Sequence, residues 1–95
     1  MTQTMTVTIH VPGPLRAYSD GASELPLSAP SVRAALGQLE QRHPELHRSI
    51  CDETGRVRRH MNLFVNSSNI RDREGLDTAL VPGDVVTILP AVSGG

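Results

Sequence analysis

Lysine is missing from the 95-residue chain: all nine basic residues are Arg. Amine chemistry on this protein is therefore confined to its N-terminus. Aromatics are almost as scarce, with one Phe, one Tyr and no Trp, so the base-stacking platforms of single-strand and RNA-recognition modules are excluded. A strong excess of either charge is missing too. Nine basic against ten acidic residues leave a net charge of −1 and a pI near 6.4, with no bulk field to draw phosphates. Nucleic acid is not an expected partner. A single cysteine, Cys51, excludes an internal disulfide, and alone it cannot hold an iron–sulfur cluster or complete a zinc set. No apolar run approaches the roughly 18 residues that span a bilayer, and the first ten residues lack the basic start and apolar stretch of a signal peptide. The expectation is a cytoplasmic protein without a membrane partner.

What the chain does contain suits one small aliphatic core. Val, Leu, Ile and Phe fill 24 positions, above the roughly 20% at which disorder becomes the default. Residues 1–4 are polar and patternless and read as a frayed lead-in. From Thr6 to Val11 apolar and polar residues alternate, which predicts a half-buried strand with Val7, Ile9 and Val11 on one face. Pro12-Gly13-Pro14 stops it, and after a loop carrying Leu15 and Tyr18, Ala22 to Ser28 alternates again around Leu25 and Leu27. The two strands suit an antiparallel pair.

At Ser31 the period changes. Val32, Leu36, Leu39 and His43 fall at i, i+4, i+7 and i+11, which predicts an amphipathic helix from about Val32 to Arg42, capped by Ser31 and ended by Pro44. Leu46 and Ile50 suggest one short helical turn, followed by a surface loop at Asp52-Glu53-Thr54-Gly55. Met61 to Val65 reads as a third strand, Asn66 to Asn69 as a turn, and Ile70 as the start of a short fourth strand. Gly75 to Leu80 suggests a brief helical turn. Pro82-Gly83-Asp84 then reads as a type II turn into a last strand, Val85 to Leu89. This order gives an α+β sheet with one main helix on one face. Leu63, Val65, Val86 and Ile88 join Val7 and Ile9 beneath it, and the period of two sends Phe64, Thr87 and Leu89 to the open face.

Only four residues separate the last strand from Gly94-Gly95. Without Cβ atoms, these glycines let a partner close around the backbone and reach the carboxylate beyond. Three segments carry a resemblance: Phe64-Val65-Asn66, the block Gly75 to Pro90 with its Pro82-Gly83-Asp84 turn, and the end Ala91-Val92-Ser93-Gly94-Gly95. Together they resemble the MoaD/ThiS family of ubiquitin-like sulfur carriers. The wording from Ile88 to Gly95 and the longer segment before Met61 resemble the branch serving amino-acid and secondary-metabolite sulfur.

The resemblance implies a β-grasp domain over residues 1–90, with a mixed four- to five-stranded sheet, and a flexible tail at 91–95. It implies that an E1-like enzyme, using ATP and Mg²⁺, adenylates the carboxylate of Gly95, and that a sulfur donor then displaces AMP to leave a thiocarboxylate. Val92, Ser93 and Gly94 would be the tail-recognition residues. Phe64, Thr87 and Leu89 would be the patch on which the activating enzyme docks. Further partners would be a sulfur-acceptor enzyme, for example one like cysteine synthase, and a zinc protease that cleaves after Gly-Gly. The carrier itself would be a monomer when free, bind no cofactor and supply no base or metal, so it is a co-substrate and not an enzyme.

Other groups carry plainer readings. Cys51 has no CxxC partner and no basic neighbour in sequence, which favours an inert thiol. His43 and His47 have ligand spacing, but Pro44 lies between them and no third ligand is evident. Arg56, Arg58, Arg59 and His60 form a basic cluster that could meet nucleotide phosphate or an acidic partner surface, with a solvated loop or strand edge the favoured reading. Asp72, Glu74 and Asp77 follow it without the pairing of general acid–base work. Two rival functions stand beside sulfur carriage. One is a protein modifier joined through Gly95 to lysines of other proteins, though without Lys this chain cannot build lysine-linked polymers of itself. The other is a β-grasp interaction module in which the glycines are incidental.

Overall fold

The structure is a computed structural model that describes residues 6–90. Strand β1 (Thr6–His10) alternates half-buried and buried positions, as the period of two requires. It pairs antiparallel with β2 (Glu24–Ser28). Between them, the segment expected as a loop coils into a 3₁₀ helix over Gly13–Ser19. Pro14 suits such a start, and the turn carries Leu15 into the core.

Helix α1 (Val32–Arg42) has the predicted bounds. The Ser31 side chain accepts the Ala34 N–H at 3.1 Å, satisfying one of the donors that a helix start leaves free. The backbone around it is tied to the far end of the chain, since Val32 N–H donates to the Thr78 carbonyl at 3.0 Å and Leu80 N–H to the Pro30 carbonyl at 2.9 Å. The expected short turn after Pro44 is a seven-residue helix, α2 (Pro44–Ile50). Pro44 ends α1 and, free of any need for an N–H, opens α2. Leu46 and Ile50 are fully buried, so burial outweighs the marginal stability of so short a helix.

Strand β3 (Met61–Val65) lies where its pattern predicted. The fourth strand is displaced: β4 is Ser68–Asn69, and Ile70 begins a 3₁₀ turn, Ile70–Asp72. Val65 opposes Ser68, so the expected four-residue turn is a two-residue loop whose first member, Asn66, takes φ 56°, a conformation that Asn tolerates. The Asn69 side chain accepts the Arg71 N–H at 2.9 Å and bends the chain away before Ile70 can extend the strand. The brief turn near Gly75 is a 3₁₀ helix at Gly75–Asp77. Asp84 N–H then donates to the Val81 carbonyl at 3.1 Å with Gly83 at φ 92°, the type II turn that Pro-Gly predicts. Strand β5 (Val85–Pro90) follows.

The sheet order is β2-β1-β5-β3-β4. β1 and β5 run parallel at its centre, and the other pairs are antiparallel. This mixed sheet with its helices on one side is the expected β-grasp. Val7, Ile9, Leu63, Val65, Val86 and Ile88 form its inner face, packed in one core with Val32, Ala35, Leu36 and Leu39 of α1.

Candidate functional site

The start of β5 is clamped by the motif residues themselves. The Asn66 side-chain amide donates to Asp84 Oδ1 and its oxygen accepts the Val85 N–H, both at 3.1 Å, while the Asn66 N–H donates to the Val85 carbonyl at 2.7 Å. Asp84 Oδ2 accepts the Val81 N–H at 2.9 Å. On the other side, Thr8 N–H donates to the Asp84 carbonyl at 3.0 Å and Gly83 N–H to the Thr6 carbonyl at 2.9 Å. Sequence alone read Asn66 as a turn former. Its reach to Asp84 joins the two ends of the open hairpin and pins β5 in register between β1 and β3.

That register decides the open face. Glu24, His10, Thr87, Phe64 and Asn69 oppose one another in turn across all five strands. Phe64 and Thr87 are thus brought together, and Leu89, two residues along, lies on the same face opposite Asn62. Leu89 is exposed, whereas Phe64 and Thr87 are half-buried. Val85 and Leu89 sit diagonally from Phe64, within reach of an aromatic ring. His10 Nε2 lies 3.4 Å from Glu24 Oε2, so this face has an apolar half on β3–β5 and a polar half on β1–β2. A shallow hollow of about 310 Å³ at the end of β1 borders Arg16, Glu24, Thr87 and Leu89. Val92, Ser93, Gly94 and Gly95, the predicted tail and sulfur-carrying residues, lie outside the described residues.

The remaining groups stay apart from this face. Cys51 follows α2 and is buried, and burial pushes its thiol up to about 11, so it is protonated at neutral pH and a poor nucleophile. Beside it Asp52 Oδ1 accepts from the Thr54 hydroxyl at 2.6 Å and from the N–H groups of Thr54 and Arg56 at 2.8 and 3.1 Å. Chiefly through the Thr54 hydroxyl, this holds the Asp52 carboxyl below its usual range. Asp77 pairs with Arg33 of α1 at 3.1 Å, not with the basic cluster near it in sequence. His43 caps α1 at its C-terminal end, and its carbonyl accepts the His47 N–H. Among the described residues no group of three or more His, Cys, Asp or Glu is placed to hold a metal ion, and no helix is long and apolar enough to cross a membrane.

Comparison with known proteins agrees with this architecture. The sulfur carrier protein CysO of Mycobacterium tuberculosis (strain ATCC 25618 / H37Rv) is 36% identical over 93 residues, covering 96% of this chain and all of the relative. The crystal structure of the BexX/CysO complex of Amycolatopsis orientalis contains a chain that superposes with a TM-score of 0.85 at 31% identity, over 94% of this chain and 99% of that one. The solution structure of small archaeal modifier protein 1 from Methanosarcina acetivorans superposes with a TM-score of 0.81 at 35% identity, over 99% of this chain and all of that one. Residues 9–95 match the ThiS family profile, and the chain accordingly belongs to the ThiS family.

Proposed function

We propose that this protein is a sulfur carrier whose working group is the carboxylate of Gly95. The observation that carries the reading is near-full-length likeness to a named sulfur carrier, in a family match that runs through Gly95 itself. A carboxylate is a poor acyl donor because its leaving group would be oxide. An E1-like enzyme with ATP and Mg²⁺ removes that obstacle: the Gly95 carboxylate attacks the α-phosphorus, pyrophosphate leaves, and an acyl-adenylate forms. Sulfur delivered by the donor at the sulfide level, as HS⁻, then attacks the acyl carbon, AMP departs and a proton is lost, leaving –COS⁻, a soft nucleophile that carries sulfur onward without releasing it. Val92, Ser93 and Gly94 thread the partner's cleft, where absent Cβ atoms at the last two positions admit a close fit. Phe64, Thr87 and Leu89 form the docking patch, and the acceptor is an enzyme of amino-acid, cofactor or thiolated-metabolite synthesis.

The protein in this scheme is a co-substrate, working in the same compartment as its ATP-dependent partner. Intact-mass measurement after expression with its activating enzyme and sulfur donor tests the reading: loading replaces one oxygen by sulfur and adds about 16 Da. A variant lacking Gly94 and Gly95 should stay folded and gain nothing. Likeness to an archaeal modifier supports a second reading, conjugation to other proteins. Branched Gly95–lysine peptides recovered from cells, with no thiocarboxylate, would establish that reading in place of the first.

A further inference from the structure

The basic run that follows Gly55 acquires a meaning only from strand register. Met61 opposes Pro90 across β3 and β5, so the turn delivering the chain into β3 lies beside the point where β5 ends. In that turn Met61 N–H donates to the Arg58 carbonyl at 3.0 Å, which sets Arg59 and His60 at its two corners, both exposed. The Arg58 side chain turns away, its Nε donating to the Arg48 carbonyl in α2 at 2.8 Å. Arg71 comes in instead. Its guanidinium donates to the Met61 carbonyl at 3.0 Å and to the Asn62 side-chain oxygen at 2.7 Å, and the residue remains exposed.

These contacts are with neutral groups. Among the described residues the ion pairs are His10–Glu24 and Arg33–Asp77, and neither includes Arg59 or Arg71. Two guanidinium groups without an ion-pair partner among the described residues thus flank the end of β5 in a chain with more acidic than basic residues. A solvated surface Arg is ordinary; the position is what distinguishes these. Five residues reach at most about 17 Å, so an enzyme that handles the Gly95 carboxylate must bring its surface up to Pro90 and the residues around it.

We infer that Arg59 and Arg71, beside the end of β5, form a cationic collar that docks against a carboxylate-rich rim around the tail-receiving cleft of the activating enzyme. The inference rests on the sulfur-carrier reading. Arg suits this task because its planar fork matches carboxylates and its charge persists at every working pH. Charges at an interface rim act mainly by steering encounter, so their signature is a rate that falls with salt. Nucleic acid does not fit the same patch, since the chain's net charge is negative and its aromatics are two.

Pyrophosphate release, measured with the full-length chain and an E1-like enzyme at low and at physiological salt, tests the collar. Arg59→Glu should raise the KM for the carrier about tenfold at low salt with kcat unchanged, and should flatten the salt dependence. Arg71→Gln, which keeps donors for Met61 and Asn62 but removes the charge, should raise KM about threefold. Arg42→Glu, exposed in the last turn of α1, makes the same net-charge change as Arg59→Glu and should stay within about twofold of wild type. Equal shifts for Arg59→Glu and Arg42→Glu, or no shift for Arg59→Glu while the wild-type chain turns over, would overturn the collar alone. No pyrophosphate release from the wild-type chain would overturn the carrier reading and the collar together.

Discussion

Ile88 and Leu89 are consecutive residues of β5, alike in size and hydropathy, yet Ile88 is 1% exposed and Leu89 45%. The same contrast runs across the sheet, where Val86 is buried and Thr87 half-buried, and Leu63 is buried and Phe64 half-buried. Propensity cannot separate the members of such pairs, because it carries no information on which side of the pleat a residue faces. What separates them is the side of the pleat on which α1 packs. The inner face is packed under the helices and the outer face is not, so neighbouring substitutions should report on different properties.

The largest effect should come from within. Ile88→Ala leaves a cavity beneath the helices and should cost about 2–5 kcal/mol, whereas Leu89→Ala should change stability by no more than about 0.5 kcal/mol. Urea denaturation of the two variants measures this directly, and equal losses would break the distinction between the faces. The outer face should answer in a different assay. Phe64→Asp should raise the KM for adenylation about tenfold, as expected for a central aromatic anchor, while costing about 1 kcal/mol of stability through lost cross-strand packing. A several-fold greater loss of stability with unchanged adenylation would place Phe64 with the core.

An effect confined to alkaline pH belongs to the buried thiol. The Cys51 thiol is raised by burial from 9.0 to about 11, so between those values the unfolded chain loses a proton that the folded chain keeps. The unfolded state then binds fewer protons, and stability falls as pH rises through that window, by up to about 1.4 kcal/mol per pH unit. Cys51→Ala should remove this slope. Parallel denaturation series at pH 8 to 11 for the two proteins would show it, and identical slopes would mean that the thiol is not kept protonated by the fold.

Much of the sheet was legible because its signals are local. Period-two alternation marked β1 and β2, β-branched content marked β5, and a cap, a helical period and Pro44 bounded α1. The spacing of Leu46 and Ile50 suggested only one turn, where full burial supports a second helix. Ile70 was read as a strand by propensity, but the Asn69 side-chain bond to the Arg71 N–H imposes a 3₁₀ turn there. At the candidate site, the pairing of Phe64 with Thr87 followed from alternation plus strand order. The bond from Asn66 to Asp84, 18 positions away, had no local signal, because a turn former and a long-range clamp look the same in sequence.

By itself the sequence determined the apolar faces, the main helix, the Pro-Gly turn and the Gly-Gly end, since each depends on dihedral preference or periodicity within a few residues. Tertiary structure alone decided that Met61 stands opposite Pro90, that Arg71 reaches the Met61 carbonyl, and that Asp77 serves Arg33. Those outcomes depend on which strands become neighbours and in what register. That choice is made by burial summed over the whole core, which no short window of sequence contains.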